Sequence, residues 1–516
     1  MKKYLIIIAA LATMGCKKYL DVNTNPNTPT LTNTKYVLTN ALNTSARIVA
    51  GGLHITGGSW TGFYGHSTSF TGGGQEKTYV FTNGDFNFFD GMYDNLTDYQ
   101  YVIEHAAADG VPYFVGPAKI MQAFIFQKLV DIYGNVPYSE ALKGSSSPNP
   151  KYDDAATTYT SLLAKITEGV ADINSATFPL NDPADIFFKA DKTKWKQFAN
   201  TLRLRLILRQ SNVSGFSPAA TISAIQSDGS GFLTSTVLCQ PGYLKSSGKL
   251  NPYYQNWGFN ENDAPTGDFR KMNSVILNWL KNSGDIFRLG RLCSKIANPE
   301  NDQAISTNPN DYAGVPLGGA GNAYLSSNVS SMGRMQIIKG NATLPSIVIT
   351  EAESYFLQAE AIERGWMSGS AATMYSNGVI AAFRLASGIQ FGSVATASAA
   401  TSDAAANTYM SNTAATNGVY VNYASCPDQA ARLKAIWVQK WVSLCNVDGG
   451  EAWAEYRRTN SPTNPNGNCP TSPHSVAVSG AEPVRFYYPL REENVNGANT
   501  PDAISPFTSR VFWDIN

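Results

Sequence analysis

The feature that most constrains the fold is a set of segments in which apolar residues recur at helical spacing. In the segment TKWKQFANTLRLRLILRQ they recur at steps of three and four residues, which places them on one face of a helix. These apolar residues are Trp195, Phe198, Ala199, Leu202 and Leu206. The pattern predicts a buried helix with a basic rim, supplied by the Lys and Arg residues of the same segment.

A second segment, TEAESYFLQAEAIERGW, carries its own start and stop signals. Thr350 and Glu353 have the spacing of an N-terminal capping box, and Gly365 supplies a helix stop. The segment therefore predicts a helix over 350–364. Further helical patterns cover the ranges 34–50, 86–109, 116–133, 152–173, 268–282, 371–386 and 428–445.

Neighbouring helical ranges predict hairpins. The ranges 86–109 and 116–133 form one such pair, and 350–364 with 371–386 form another. They are similar to tetratricopeptide repeats but lack a fixed period of roughly 34 residues. The long connections between helices are 51–85, 213–266, 293–349, 387–426 and 446–516. The predicted fold class is therefore mainly α, with tetratricopeptide-like helical hairpins packed against a long-loop-rich binding region and few short strands.

The N-terminus has the layout of a lipoprotein signal peptide. Lys2 and Lys3 precede the apolar run Leu5–Met14, and Gly15 stands immediately before Cys16. The run is about half of the roughly 20 residues that a membrane-spanning helix needs. We therefore predict a signal peptide over 1–15. We also predict that Cys16 carries lipid, namely a diacylglyceryl group and palmitate. An ordinary secretory peptide with a chance cysteine is the alternative.

The segment that follows is poor in apolar residues. Residues 16–34 are rich in Asn, Thr and Pro, so we expect a flexible tether with little to bury. We predict that 35–516 form a single domain. A lipidated cysteine before such a tether indicates membrane attachment by the lipid anchor only.

The charge composition excludes two classes of partner. Lys plus Arg and Asp plus Glu number 39 each, so no net field draws the chain to nucleic acid or to an anionic membrane surface. Charged residues make up 15% and hydrophobic residues 43%, which is typical of a globular chain. We expect a ligand that is neutral or selected by its shape.

No catalytic or zinc motif stands out. The four histidines are His54, His66, His105 and His474, and none lies in H-E-x-x-H, nor does the chain contain G-x-S-x-G. His54 and His66 flank a Gly-rich loop, but their spacing makes them a weak metal pair, and ordinary loop histidines are the preferred interpretation. The sequence thus predicts no catalytic residues and no metal site of this kind.

Two smaller features leave alternatives open. Glu261, Asp263 and Asp268 in FNENDAPTGD are weak candidates for a structural Ca²⁺ site, although a solvated turn is the preferred interpretation. After Cys16 five cysteines remain, Cys239, Cys293, Cys426, Cys445 and Cys469. They would allow two disulfides and one thiol in an oxidising compartment, with the pairing undetermined.

Two segments combine aromatic rings with polar amides or glycines. Gly51–Gly74 contains Trp60, Phe63, Tyr64 and Phe70, for which ligand stacking and core packing are equally good interpretations. In NPYYQNWGFN, Tyr253, Tyr254, Trp257 and Phe259 alternate with Asn251, Gln255, Asn256 and Asn260. Aromatic faces stack on sugar C–H groups while amides bond hydroxyls, so both segments are candidates for neutral glycan binding.

Six segments in order resemble the SusD/RagB family of nutrient-binding outer-membrane lipoproteins. They are YLDVNTNPNTPT from Tyr19, DIYGNVPYSEAL from Asp131, WKQFANTLRLRLILR, TEAESYFLQAEAIERGW, GGEAWAEYRRT from Gly449 and RFYYPLREENVN from Arg485. The resemblance implies a cell-surface, outward-facing lipoprotein that binds a glycan, in preference to a peptide, and delivers it to a SusC-type TonB-dependent transporter. A lipid-anchored hydrolase or a protein-binding helical scaffold of the same uptake system are the alternatives.

We predict that the motifs that carry the resemblance have structural roles. Gly134 and Asn135 suit a tight turn, and Glu451, Arg457 and Arg458 are expected to form buried ion pairs. The resemblance also implies ligand contacts in a third loop, which contains Tyr312, Asn322, Tyr324 and Arg334. The combined ligand-binding candidates are Trp60, Tyr64, Tyr253, Tyr254, Asn256, Trp257, Tyr324 and Arg334, in a protein that is predicted not to be an enzyme.

Overall fold

The structure is a computed structural model that describes residues 32–70, 74–267, 269–296, 305–463 and 482–516. The predicted signal peptide, the lipidation site Cys16 and most of the tether lie outside these residues. Asp268, Cys469 and His474 lie outside them as well.

The helices come in pairs along the described chain. Their bounds are α1 Thr34–Val49, α2 Gly52–Trp60, α3 Gln75–Thr78, α4 Phe89–His105, α5 Val115–Tyr133, α6 Ala155–Ser175, α7 Lys192–Arg209, α8 Ala219–Asp228, α9 Pro252–Trp257, α10 Ser274–Asn282, α11 Ile286–Leu292, α12 Glu351–Glu363, α13 Ala371–Ser387, α14 Ala399–Met410, α15 Gln429–Leu444, α16 Gly449–Thr459 and α17 Leu490–Asn496. Both predicted hairpins are confirmed, because α4 packs on α5 and α12 packs on α13.

The strands of the described residues are short and form two-stranded antiparallel sheets. They are β1 Tyr64–His66 with β5 Arg270–Met272, β2 Val136–Pro137 with β3 Tyr152–Asp153, β4 Val237–Cys239 with β6 Ser346–Ile349, and β7 Ala415–Thr416 with β8 Val419–Tyr420. The predicted fold class, mainly helical with few short strands, is confirmed. Searched over the described residues, the helices include none that is both long and apolar enough to cross a membrane.

Local signals work as predicted at two helix ends. The Thr350 side chain accepts a hydrogen bond from the Glu353 N–H at 3.1 Å and so caps α12. Gly134, with φ of 76°, ends α5, and Asn135 accepts from the Ala155 N–H at 3.0 Å. This turn joins two helices and confirms the scaffold interpretation of its motif.

The prediction of helix over 268–282 is wrong at its start. Arg270–Met272 form β5, and α10 begins only after Asn273, whose side chain accepts from the Val275 N–H at 3.0 Å. The strand exists because β1, more than 200 residues earlier along the chain, supplies its hydrogen-bonding partner. Local periodicity carries no information about that partner.

The Gly-rich start of the 51–85 connection is also helical, contrary to prediction. Gly57 lies where a Cβ would come within 2.8 Å of the Gly449 carbonyl carbon. The glycines therefore allow α2 to pack directly on the backbone of α16. Close helix packing, not loop flexibility, explains this glycine content.

The predicted basic rim of α7 is present for Lys192 and Lys194, which are exposed, but it is wrong for the arginines, which are buried. Arg209 bonds Glu451 at 2.6 Å, and Arg205 bonds Glu353 at 2.7 Å. Burial by itself raises the pKa of Glu451, but the charges of Arg209 and Arg205 outweigh it and hold the pKa at about 2. The body of the protein is thus joined by a buried cluster of ion pairs.

The segment GGEAWAEYRRT belongs to the same cluster. Arg458 pairs with Glu360 and Glu455, each at 2.7 Å. Arg457 instead donates to the backbone carbonyls of Val484 and Asp131, both at 2.7 Å. The expected buried ion pairs are therefore confirmed for Glu451 and Arg458. Arg457 forms hydrogen bonds to backbone carbonyls instead.

The cysteines within the described residues form no disulfide. Cys239, Cys293, Cys426 and Cys445 are all buried free thiols. Two disulfides would need at least three of these four, so that expectation is wrong. Burial raises the pKa of the Cys239 thiol to about 12, which keeps it protonated and unreactive.

Candidate functional site

The aromatic residues of the first candidate segment lie mostly in the core. Trp60 is 2% exposed and its indole packs on Trp453, with ring centroids 4.8 Å apart, and on Phe486 at 5.1 Å. Its Nε1–H donates to the Glu76 carbonyl at 3.0 Å. The structure therefore corrects the ligand-binding assignment of Trp60: this ring is buried by other rings and faces no ligand.

Tyr64 and Tyr253 are corrected in the same way. Both are buried and converge on the imidazole of His54, with hydroxyl-to-Nε2 distances of 2.9 and 3.2 Å. Tyr64 also donates to the Asn446 side-chain oxygen at 3.0 Å. Their hydroxyls are used within the protein, because buried polar groups need internal partners.

His54 holds this cluster together in its neutral form. The Gly449 N–H donates to its Nδ1 at 3.1 Å, which assigns the ring proton to Nε2. Burial lowers the pKa of His54 to about 4, although nearby Asp448 opposes the shift. His54 is thus a structural residue and not a metal ligand here.

Tyr254 is the fourth corrected candidate. It is buried, donates to Asp263 Oδ1 at 3.1 Å and accepts from the Gly340 N–H at 3.2 Å. Asp263 also pairs with Lys245 at 2.5 Å, so its carboxylate already has a cationic partner.

Among the residues that the structure describes, no group of three or more His, Cys, Asp or Glu side chains could hold a metal ion. Calcium binding by Glu261, Asp263 and Asp268 stays a prediction.

Trp257 is different, because it is only half buried. Its Nε1–H donates to the Ala50 carbonyl at 2.7 Å, which fixes the ring at the end of α9. The neighbouring Asn256 is exposed and donates to the same carbonyl at 3.3 Å. Both side chains therefore remain available at the surface, on a rigid base.

The β1–β5 pair brings a second set of side chains to Trp257. His66 lies opposite Arg270 in this sheet. The Arg270 guanidinium lies 5.0 Å from the Trp257 ring centroid and 4.3 Å from that of Phe269, within cation–π range. Phe269 in turn contacts Phe70 with centroids 5.9 Å apart. We call Phe70, Phe269, Arg270 and Trp257 the aromatic strip.

The third candidate loop borders the strip at its Phe70 end. Thr68 N–H donates to the Tyr324 carbonyl at 2.9 Å, and the Ser326 N–H donates to Ser69 Oγ at 2.8 Å. Tyr324 is half buried. The segments around Phe70, 257–270 and Tyr324 therefore meet here, and the first of them lies more than 180 residues before the other two along the chain.

The strip rests on a buried polar pair. His66 Nε2 and Glu76 Oε1 are 2.9 Å apart, and Arg270 Nη2 lies 3.6 Å from the same carboxylate oxygen. Burial by itself raises the pKa of Glu76, but the hydrogen bond to His66 and the charge of Arg270 outweigh it, so the pKa lies below its ordinary value. Burial lowers the pKa of Arg270, and Glu76 opposes that shift.

Sequence reasoning missed Phe269 and Arg270. Their only local signal was an aromatic residue next to a basic one, inside a range that had been assigned to a helix. Asn256, Trp257 and Tyr324 stay predictions as ligand contacts.

Arg334 and Tyr312 lie elsewhere in this region. Arg334 lines a separate cavity of about 400 Å³ with Ser393 and Thr396, and that lining does not include Trp257. Tyr312 is buried and donates to the Ser306 carbonyl at 3.0 Å. A second cavity, of about 530 Å³, lies between Phe81 and Tyr487. The assignment of Arg334 to a ligand stays a prediction, but its place is not on the strip.

The strip can bind but offers no reaction chemistry of its own. It combines flat apolar rings with amide and guanidinium donors, a mixture that suits stacking on a sugar ring and bonding to its polar substituents. His66 and Glu76 are buried beneath it and bonded to each other. The arrangement is that of a recognition surface.

Comparison with known proteins agrees with the fold. A family model described as SusD-like, starch-binding and associating with the outer membrane matches residues 25–489. A SusD homolog from Bacteroides fragilis is similar in structure, with a TM-score of 0.73 and 20% identity over 94% of this chain and 99% of that chain. No curated protein sequence matches the chain.

Two further similar structures belong to proteins that are described by what they bind. One is described as a chitin-binding protein, with a TM-score of 0.68 and 25% identity over 93% of this chain and 100% of that chain. The other is a chitin-binding SusD homolog from Flavobacterium johnsoniae, with a TM-score of 0.71 and 21% identity over 94% and 99%. Each of these chains shares the helical architecture over almost its whole length.

Proposed function

We propose that this chain, which belongs to the SusD-like family of outer-membrane-associated proteins, binds a glycan on the aromatic strip and delivers it to a SusC-type TonB-dependent transporter. The observation that carries the proposal is that the exposed Phe70 meets the half-buried rings of Phe269 and, across Arg270, Trp257, almost 200 residues later along the chain. Stacking on such rings accounts for affinity to a neutral ligand.

The relatives support a glycan in preference to a peptide. Two of the similar structures are described as chitin-binding, and the family model is described as starch-binding. The zero net charge of the chain fits an uncharged polysaccharide. In this proposal the protein is not an enzyme, and the ligand leaves the strip unchanged.

The N-terminal sequence supports surface attachment. Gly15–Cys16 forms a lipobox-like cleavage site, and the Asn/Thr/Pro-rich residues before α1 form the tether in this proposal. A flexible tether keeps the body near its transporter and raises the effective concentration of one near the other. We therefore place the protein on the outer membrane, facing outwards and held by lipid on Cys16.

Affinity electrophoresis in gels that contain starch, xylan, cellulose derivatives or glycol chitin tests the glycan assignment. We expect retardation by at least one polysaccharide and a loss of affinity of about tenfold or more in Trp257→Ala, because the stacking surface is removed. Trp366→Ala is the matched control, since Trp366 is also half buried beside an arginine, Arg364.

The result shows whether the strip belongs to the binding site and whether the protein binds glycans. Equal retardation of wild type and Trp257→Ala, with Trp366→Ala unchanged, would remove the strip from the binding site. Retardation by none of the polysaccharides would overturn glycan binding itself.

A further inference from the structure

Arg270 makes unusually little use of its hydrogen-bond donors. Its side chain is 20% exposed and its Nε is buried without a hydrogen-bond partner. The nearest carboxylate oxygen, on Glu76, lies 3.6 Å from Nη2, which is beyond hydrogen-bond distance. Among the described residues, no side-chain hydrogen bond from Arg270 is present.

A matched arginine shows that this is not a consequence of its aromatic neighbour. Arg364 lies 5.7 Å from the Trp366 ring centroid and its side chain is 16% exposed. Its Nε donates to Glu360 at 2.9 Å. Leaving guanidinium donors unused costs free energy, so the geometry of Arg270 is that of a group prepared for an external acceptor.

The charge around Arg270 restricts what that acceptor can be. Glu76 lies close enough to balance the guanidinium charge, so the pair offers directed N–H donors without a net positive field. An anionic ligand group would lie near the Glu76 carboxylate and be repelled by it. A neutral oxygen with strong acceptor character, such as an amide carbonyl, fits better.

The rings beside Arg270 supply the second half of the recognition. Phe269, at 4.3 Å from the guanidinium, and the exposed Phe70 next to it provide an apolar surface within a few ångströms of the donors. A group that joins a carbonyl oxygen to a methyl would place each part against a matching surface. The acetamido substituent of an N-acetylated amino sugar has this chemistry.

We propose that Arg270 donates to the acetamido carbonyl of an N-acetylated amino sugar and makes the strip select such glycans over those that carry only hydroxyl groups. The inference rests on the proposed function, because it concerns the same surface. In this proposal Arg270 discriminates between glycans, and Trp257 provides the stacking surface that every bound glycan uses.

Calorimetry with tetraacetyl-chitotetraose and cellotetraose tests the selection, because these probes differ only in the acetamido or hydroxyl group at C2. Wild type is expected to prefer the acetamido ligand by about tenfold or more, the usual effect of a hydrogen bond to a charged group. Arg270→Gln should reduce the preference to about twofold or less, because the affinity for tetraacetyl-chitotetraose falls much more than the affinity for cellotetraose.

Two further variants keep the test decisive. Arg270→Lys retains the charge beside Glu76 but not the planar donor fork, so it should fold, still bind cellotetraose and lose most of the preference. Arg364→Gln, the control, should retain the full preference.

The inference is overturned if wild type does not prefer the acetamido ligand, or if both Arg270 variants retain the preference. These outcomes leave the proposed function standing, since that function fails if no polysaccharide retards the protein or if the strip variant Trp257→Ala binds polysaccharide as well as wild type does.

Discussion

Two tryptophan–arginine pairs lie at the surface in different parts of the molecule and have different roles. Trp257 with Arg270 and Trp366 with Arg364 have similar ring-to-guanidinium distances, 5.0 and 5.7 Å, and both tryptophans are half buried. By composition and local geometry they are alike. They differ in how each arginine uses its donors.

The difference follows from how each pair is built. Arg364 stands four residues after Glu360 at the end of α12 and bonds it within one helical turn. Arg270 stands in β5, and the nearest carboxylate, on Glu76, belongs to a segment almost 200 residues earlier along the chain and lies 3.6 Å from Nη2. An arginine whose carboxylate stands one helical turn away is bonded within the scaffold, whereas Arg270, whose carboxylate comes from a distant segment, can retain donors for a ligand.

Acidification should produce the largest effect, through His54, whose ring lies beside that of Trp257 with centroids 6.3 Å apart. The folded state keeps His54 neutral down to about pH 4, whereas the unfolded chain takes up the proton near pH 6.5. Between these values the unfolded state binds more protons, so the free energy of unfolding falls as the pH falls. The full loss is about 3 kcal/mol.

Denaturant unfolding between pH 7 and pH 4 measures this effect. Other carboxyl groups titrate in the same range, so the informative quantity is the difference between wild type and His54→Gln. The variant should be less stable at pH 7 and should lack the His54 part of the pH dependence. A wild-type curve parallel to that of the variant would contradict a neutral buried His54.

Removal of the scaffold arginine should have a moderate effect on stability and none on binding. Arg364→Gln loses the bond to Glu360, but Arg458 still pairs with that carboxylate at 2.7 Å. We expect a loss of about 1 kcal/mol in the free energy of unfolding, measured by chemical denaturation. Arg270→Gln should lose less, since it breaks no hydrogen bond of its side chain; the reverse order of stabilities would show that Arg270 is scaffold.

The smallest effect is expected at the exposed end of the strip. Phe70 is 43% exposed and contacts Phe269, so Phe70→Ala should lower glycan affinity by about threefold. Its free energy of unfolding should change by less than about 0.5 kcal/mol. Leu180→Ala is the control, because Leu180 is fully exposed and lies outside the strip; calorimetry that gives the same affinity for both variants would exclude Phe70 from the site.

The helices could be predicted because their signals are local. The range predicted for α13, 371–386, differs from the observed Ala371–Ser387 by one residue, since periodicity and capping are written in consecutive residues. The same reasoning failed for Arg205 and Arg209. Helical spacing alone does not show that glutamates on α12 and α16 will face them.

The aromatic candidates show the same limit. Trp60 and Trp257 both stand in segments that combine rings with small or polar residues, and either could have been core or surface. Trp453 and Phe486, which stand 393 and 426 residues after Trp60, bury its ring. No partner covers Trp257 to the same degree.

The sequence by itself determined the helical body, its hairpins and the family resemblance, and it predicts an N-terminal processing signal. Only the tertiary structure decided which aromatic rings are core, which arginines are paired, and that Phe269 and Arg270 lie beside Trp257. The physical reason is that helix formation depends on neighbours within a few residues, whereas burial and hydrogen-bond satisfaction depend on groups that the fold brings together from hundreds of residues away.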